Sequence, residues 1–281
     1  MRHSEKTPRT ASTSAWRPGS KIPGVTPVAL FVLSLTLQQG APAPVPPQPG
    51  QATTVVPAAQ GGTVAPSNPD GLYKGRAHRP NAQAAADIWD TSATTDFTAA
   101  WKLARVCYWL GTHGTEPERR EALERGVKAG EMAVRLAPDR PEGHFWMAAS
   151  MGTLGEAFGM SQGLKYRGRI KEALERVIAM QPGWQQGSAE AALGRWYARV
   201  PRLLGGNKGK AEAHFTQALE YDPFNRFALI YYAELVEEDK PAEARAFLER
   251  VLEAPPLEEW GPEDNDWVYK AKERLARIPV R

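Results

Sequence analysis

Arginine and aromatic residues recur at helical spacing in the middle of this 281-residue chain, and both types are suited to binding a partner. Arg195 and Arg199 are four residues apart and therefore share one helix face. A guanidinium can hold a carboxylate in a bidentate fork, and Trp, Tyr and Arg are the usual anchors of interfaces. We predict a partner or ligand groove lined by Trp101, Arg105, Tyr108, Trp109, Trp146, Glu156, Arg195, Arg199 and Arg226.

The same residues have a structural interpretation. Aromatic side chains at helical spacing usually pack between helices, and the arginines could form salt bridges with neighbouring helices of the same chain. The groove hypothesis predicts that changing Arg195 and Arg199 together to Ala leaves folding intact and weakens binding. Unchanged binding would favour the structural interpretation.

Residues that could perform catalysis or bind metal are scattered. His214 lies inside a predicted helix, where we interpret it as a structural residue rather than a ligand. The single cysteine, Cys107, lies beside Tyr108 in a helix rich in Trp and Leu, so we predict a small core residue rather than a nucleophile. Zincin, nucleophile-elbow and nucleotide-binding motifs are absent from the sequence. Without these motifs, the sequence predicts no enzyme activity and no cofactor. It also predicts no metal site, because its five histidines lack the spacing of metal ligands: His3, His78, His113, His144 and His214.

A glycine-rich loop precedes one predicted helix. Gly205-Gly206 leads to Asn207, and Lys208 and Lys210 follow in the first turn. One interpretation is phosphate binding at the helix N-terminus. The other is a flexible connection in which Asn207 caps the helix.

The charge balance argues against nucleic acid as a partner. The formal net charge is +3, but residues 1–43 hold five Lys or Arg and one Glu. The remaining residues carry 30 basic and 31 acidic side chains, so the body of the protein is nearly neutral. A nucleic-acid-binding domain would show a basic patch.

The N-terminal segment predicts export. Residues 1–24 are polar and basic, an apolar run of 13 residues follows at 25–37, and Ala41-Pro42-Ala43 resembles a cleavage site. We predict a signal peptide over 1–43 and a mature start near Pro44, in the periplasm or envelope. An uncleaved anchor and a wrongly assigned start codon are the alternatives.

A Pro- and Ala-rich tract follows the apolar run. Residues 41–69 contain eight prolines and no charged residue. Such a composition buries too little apolar surface to offset its ordering entropy. We therefore predict a disordered linker over 44–69 and a helical repeat domain over 70–281.

Residues 193–223 carry most of a tetratricopeptide (TPR) signature. Glu190 stands where the signature has Trp. The interval from Gly194 to Pro223 is 29 residues, about five more than the signature allows, and the extra residues fall at 200–210. The matching residues are Leu193, Gly194, Tyr197, Ala211, Phe215 and Pro223.

Similar helix pairs recur along the chain, and four of them are followed by proline, which cannot continue a helix: Pro138, Pro182, Pro223 and Pro255-Pro256. We predict an all-α TPR-like superhelix of about five helix pairs. A C-terminal helix over 264–278 would cap the array, with Asp264, Asn265 and Asp266 at its start. The expected pairs are 72–73 with 85–89, 97–110 with 118–136, 142–158 with 168–180, the two helices of 193–223, and 226–236 with 242–252.

Three stretches resemble the T component of tripartite ATP-independent periplasmic (TRAP) transporters: residues 101–111, 193–206 and 211–215. The resemblance extends over about residues 72–252. It implies a periplasmic protein that assists a solute-binding protein, as an oligomer with a pore for hydrophobic ligands. The family's lipid-bearing cysteine is missing here, so no membrane tether is implied. The chain is also similar to the regulators of microtubule dynamics, which share the repeat layout.

We therefore expect an exported, non-enzymatic protein-interaction module that acts as an accessory component of a TRAP-type transport system. Its expected partner is a protein such as a periplasmic solute-binding protein, with a small apolar or carboxylate ligand and self-association as further expectations. A general envelope scaffold with no transport role is the alternative. Neighbouring genes for a binding protein and a permease would favour transport.

Overall fold

A computed structural model describes residues 68–279 of the chain, and these residues form helices joined by short turns, without a β-strand among them. The predicted signal peptide and nearly all of the predicted linker lie outside the described residues. The helices are α1 Pro69–Lys74, α2 Arg79–Asp90, α3 Phe97–His113, α4 Glu116–Leu136, α5 Pro141–Ala157, α6 Met160–Met180, α7 Trp184–Arg199, α8 Lys208–Tyr221, α9 Arg226–Val236, α10 Pro241–Glu253 and α11 Gly261–Leu275.

The helices form two layers. Each helix of α3 to α10 packs on a partner next to it in the chain, and α3, α5, α7, α9 and α11 also contact one another in that order. α3, α5, α7 and α9 therefore form an inner layer, α4, α6, α8 and α10 lie outside it, and α11 follows at the C-terminal end of the series. The prediction of an all-α helical-repeat superhelix with five helix pairs and a final helix is confirmed.

Local sequence explains where the helices begin. The Asp96 side chain accepts a hydrogen bond from the Thr98 N–H at the start of α3. Thr115 and Glu118 form a capping box at α4, and Asn225 caps α9 through the Ala228 N–H. Such caps satisfy N–H groups that lack partners inside the helix.

The signature residues hold α7 against α8. Leu193, Tyr197, Ala211 and Phe215 are buried. A Cβ added to Gly194 would lie 2.9 Å from the ring of Phe215. The two helices can approach this closely because position 194 has no side chain.

Several helix starts differ from the predictions, and one has an unusual backbone conformation. α6 begins at Met160, eight residues before the expected 168. α11 begins at Gly261, so the prediction of a start at Asp264 was wrong; Asp264 lies in the first turn and is buried. At the start of α7, Gln185 and Gln186 have positive φ angles of 44° and 53°. Tertiary contacts impose that left-handed turn, because the Gln186 carbonyl accepts a hydrogen bond from Asn225 Nδ2 at 2.9 Å.

Among residues 68–279, every helix is too short or too polar to span a bilayer.

Candidate partner-binding surface

All nine predicted groove residues lie on helices of the inner layer, as the helical spacing implied. α3 carries four of them, α5 and α7 carry two each, and α9 carries one. The layer brings neighbours together: the rings of Tyr108 and Trp146 lie 5.6 Å apart. Trp109 is buried and stacks on His113 of the same helix at 4.4 Å.

Arg105 is held between aromatic rings. Its guanidinium lies 4.0 Å from the ring centroid of Tyr73 and 5.0 Å from that of Trp101. Its Nη1 donates to Glu259 Oε1 at 3.4 Å. Cation–π stacking of this kind fixes the guanidinium with its edge available to a carboxylate.

Glu156 and Arg195 form a bidentate pair between α5 and α7. Arg195 Nε and Nη2 donate to the two Glu156 oxygens at 2.6 and 2.5 Å. The same guanidinium lies 3.4 Å from the ring centroid of Tyr231 on α9. Arg199 reaches Glu234 at 3.5 Å and remains exposed. The two arginines therefore link three inner helices to one another.

Arg226 is the most enclosed of the predicted arginines, with 6% of its surface exposed. Its Nη2 donates to the carbonyl oxygens of Ala254 and Pro255 at 2.8 and 3.0 Å. Its Nη1 lies 3.2 Å from Asp264 Oδ1. Arg226 thus binds the chain that leads from α10 to α11.

The concave side of the inner layer is covered by residues 257–278, which we call the C-terminal segment. Arg76, in the turn after α1, donates to both Glu263 oxygens at 3.0 and 2.5 Å, and to the Glu259 carbonyl at 2.6 Å. Only 2% of Arg76 is exposed. His113 Nε2 lies 3.0 Å from Asp266 Oδ2. The acids of the segment therefore reach α3 and the turn before α2.

Aromatic contacts accompany these ion pairs. The ring of Trp260 lies 6.3 Å from that of Trp146 on α5. Trp267 lies 5.7 Å from Phe227 and 6.4 Å from Tyr231, both on α9. Lys270 Nζ donates to the Tyr231 hydroxyl at 2.9 Å.

Burial shifts two titrating groups on this surface. Burial, followed by the nearby Arg195 charge, lowers the pKa of Lys270 to about 8. Burial raises the pKa of Tyr108 to about 12. Both shifts have the same cause, since a poorly solvated interior disfavours the charged form of each group.

The sequence patterns did not single out Arg76, and they predicted the C-terminal segment as a capping helix rather than as a cover for the predicted groove residues. Arg76 lies in a short turn outside any repeat signature. Residues 257–267 do carry a usable signal, since they contain five acidic residues and two tryptophans and no basic residue. Such a stretch complements a surface of arginines and aromatic rings.

The other chemical candidates occupy structural positions. His214 Nδ1 pairs with Glu190 at 2.6 Å, and the His214 ring stacks on Tyr197. Cys107 is buried, and burial raises the pKa of its thiol to about 12, far from a reactive thiolate. Among residues 68–279, acidic, His and Cys side chains nowhere gather in a metal-binding group.

The glycine-rich loop borders a surface cavity of about 450 Å³. Asn207 caps α8 by accepting a hydrogen bond from the Lys210 N–H at 2.9 Å, as the second interpretation predicted. Lys208 forms an ion pair with Asp239. The loop thus has a structural explanation.

Comparison with known proteins gives a family match over residues 68–217, more than half of the chain, to regulator of microtubule dynamics protein 1-3. Regulator of microtubule dynamics protein 3 of Rattus norvegicus is 28% identical over 174 residues, and that of Mus musculus is 27% identical over 174 residues. Each alignment covers 55% of this chain and 36% of the relative. The chain therefore spans about a third of the length of these relatives.

A thermophilic TPR protein from Thermus thermophilus has a similar fold, with a TM-score of 0.55 and 22% identity, covering 75% of this chain and 100% of that chain. This likeness supports a TPR-like helical fold. The family match falls on the regulators of microtubule dynamics rather than on the TRAP component, so it gives the transport assignment no support.

Proposed function

The chain belongs to the family of regulator of microtubule dynamics proteins 1-3, and we propose that it is a non-catalytic interaction module that binds a segment of a partner protein on the concave side of its helical repeats. The family match covers α1 to α7 and most of α8, which carry eight of the nine predicted groove residues.

One observation carries the proposal: the concave side already binds a peptide segment, its own residues 257–278. Arg105 and Arg226 each contact that segment or the turn before it. Aromatic rings of α5 and α9 contact its two tryptophans. A surface that binds one acidic, aromatic segment has the chemistry to bind another.

The absence of a catalytic role is supported by the state of the reactive side chains. The Cys107 thiol is buried with a raised pKa. His214 is paired with Glu190 and stacked on Tyr197. A buried, protonated thiol is a poor nucleophile, and the His214 ring is held in a structural contact between Glu190 and Tyr197.

The names of the relatives suggest a context for binding. Both are named as regulators of microtubule dynamics, and this chain matches about a third of each. We propose that the helical-repeat region is the part of these proteins that contacts protein partners. A turbidity assay of tubulin assembly with and without this protein would test whether the named activity extends to it.

Export and a transport role are separate proposals. Export is supported by the basic and apolar pattern of residues 1–43. Cell fractionation with N-terminal sequencing should find a mature start near Pro44. The transport role is supported by the resemblance to the TRAP component. It predicts co-purification with a periplasmic solute-binding protein.

Site-specific photo-crosslinking tests the interaction function directly. A photoreactive amino acid at Arg199 on α7 would sample the exposed rim of the concave side. The same amino acid at Arg176, exposed on the outer helix α6, is the matched control. We expect a discrete partner adduct from position 199 and none from position 176. Equal adducts at both positions, or none at either, would contradict the proposal.

A further inference from the structure

The C-terminal segment matches the concave surface in charge and in apolar contacts. Its acidic half, residues 257–267, faces three arginines from separate parts of the chain: Arg76, Arg105 and Arg226. Its tryptophans meet the aromatic rings of α5 and α9. Complementarity of both kinds is typical of a ligand in its recognition site.

The segment is attached more firmly on one side than on the other. α11 packs its backbone on α9 and α10, whereas it reaches α3 and the α1–α2 turn through long side chains. Two of those links are on the rim: Glu259 is 68% exposed in its contact with Arg105, and Asp266 is 66% exposed in its contact with His113. Exposed ion pairs contribute little. We call the boundary between the C-terminal segment and the helices before α7 the seam, and it depends mainly on Arg76–Glu263 and Trp146–Trp260.

We propose that the concave surface recognises a helical partner segment whose acids and tryptophans are spaced as in Glu259 to Trp267, and that the C-terminal segment is its competing internal occupant. This inference rests on the proposed function and adds the class of partner and the control of access. A partner binds the arginines and rings only when the seam opens. Its apparent affinity is therefore reduced by the fraction of molecules that are open.

The turn before the segment allows such opening. Ala254 follows the last residue of α10, and Pro255-Pro256 prevents α10 from continuing into the segment. Opening at this turn breaks the contacts of Arg226 with Ala254, Pro255 and Asp264 and the packing of α11 on α9 and α10, and it leaves α3, α5, α7 and α9 folded. The attached segment then competes with a partner segment, because its attachment gives it a high effective concentration at the concave surface.

The test measures binding of a synthetic, fluorescein-labelled peptide, residues 255–279 of this chain, to the full-length protein by fluorescence anisotropy. The release variant Trp260→Ala with Glu263→Gln weakens the seam and leaves the concave arginines intact. The matched control is Tyr269→Ala with Glu273→Gln, an aromatic truncation and a carboxylate replacement of the same kind at exposed positions of α11. Tyr269 is 72% exposed, and Glu273 forms an ion pair with Arg277, which follows α11.

We expect the peptide to bind the release variant at least tenfold more tightly than the wild type or the control variant. A peptide carrying Trp260→Ala and Glu263→Gln should lose at least tenfold in affinity for the release variant. Equal affinity of the labelled peptide for all three proteins would overturn the proposal. So would equal binding of the two peptides.

A milder variant covers the case in which the release variant does not fold. Glu259→Gln with Asp266→Asn changes only the two exposed rim carboxylates, and about a threefold gain in peptide affinity is expected. Light scattering adds one further outcome. Dimers of the release variant that disappear on adding the peptide would identify a second copy as the occupant and overturn the assignment to a partner protein.

The two proposals fail differently. If cross-links at position 199 form and peptide affinity does not change, the proposed function stands and the inference about the C-terminal segment is wrong. If position 199 yields no adduct in the wild type or in the release variant, the proposed function itself is wrong.

Discussion

At the scale of single residues, Arg226 shows how a buried cation depends on its partners. Its guanidinium binds two carbonyl oxygens and the buried Asp264 carboxylate. Removing one partner of a buried ion pair leaves the other charge uncompensated, which costs more than the pair itself contributes. Arg226 is therefore a structural anchor of the turn between α10 and α11 as well as a concave residue.

Changing Arg226 to Met should lower the free energy of unfolding by about 3–5 kcal/mol, because Asp264 stays buried without its cation. Urea denaturation measures the change. Arg277→Met is the control, since Arg277 is exposed and forms a surface ion pair with Glu273, and it should cost less than about 0.5 kcal/mol. Adding Asp264→Asn to Arg226→Met should recover part of the loss. Equal effects of the two single changes would contradict the assignment.

Lys270 should make stability depend on pH. Burial lowers its pKa to about 8 in the folded protein, against 10.5 as the ordinary value. Between these values Lys270 binds fewer protons in the folded chain than in the unfolded one, so its contribution to stability rises with pH from about 8 to 10.5. Below pH 8 the cost of burying the charge is fully present.

Lys270→Met should therefore stabilise the protein at pH 7 by about 1–3 kcal/mol and remove this rise in stability. Denaturation midpoints recorded from pH 7 to 10 measure both effects. Lys272→Met, an exposed lysine on the same helix, should leave the pH dependence as in the wild type. A Lys270→Met protein with the wild-type pH dependence would show that another group is responsible.

At the scale of elements, the repeats depend on close approach of paired helices. Gly194 lies against Phe215 and Ala211 of α8, and a Cβ there would lie 2.9 Å from the Phe215 ring and 3.2 Å from the Ala211 carbonyl oxygen. Gly168 on α6 has open space around it. Comparing the change to Ala at these two positions therefore separates the cost of overpacking from the gain in helix propensity.

Gly194→Ala should destabilise the protein by about 1–2 kcal/mol, because overpacking between α7 and α8 exceeds the gain in helix propensity. Gly168→Ala should stabilise it by about 0.5–1 kcal/mol through propensity alone. Thermal and urea unfolding of both variants check the pair. Stabilisation by both changes would mean that α7 and α8 can move apart without cost.

At the scale of the whole molecule, Arg76 joins parts of the chain that are 187 residues apart. It is nearly inaccessible, and it binds both the side chain of Glu263 and the backbone of Glu259. The turn after α1 is thereby connected to α11. The inner layer is closed at this seam by side chains rather than by helix packing.

Arg76→Gln should increase amide hydrogen exchange in α11, with a loss of protection of about 1–3 kcal/mol, and should leave α4 to α6 unchanged. Hydrogen exchange followed by mass spectrometry resolves these helices. Arg79→Gln is the control, because Arg79 pairs with Glu118 on the exposed surface, and its α11 should exchange as in the wild type. Faster exchange throughout the protein would indicate general destabilisation instead of opening at the seam.

The sequence by itself determined the helical repeats. Proline after four of the pairs, capping side chains at Asn207 and Asn225, and the small residues Gly194 and Ala211 are local features that act within one or two turns. Helical spacing likewise placed the nine predicted groove residues on helices of the inner layer. These features depend on near neighbours in the chain, which a sequence displays directly.

Only the tertiary structure decided what covers those residues. The contacts of Arg76 with Glu263, Arg226 with Asp264 and Trp146 with Trp260 join positions far apart in sequence, and no local pattern sets their distance. The small rotation between successive helix pairs accumulates along the array. That accumulated rotation brings the last helix to the first, and the groove predicted from the sequence is covered by the chain's own C-terminal segment.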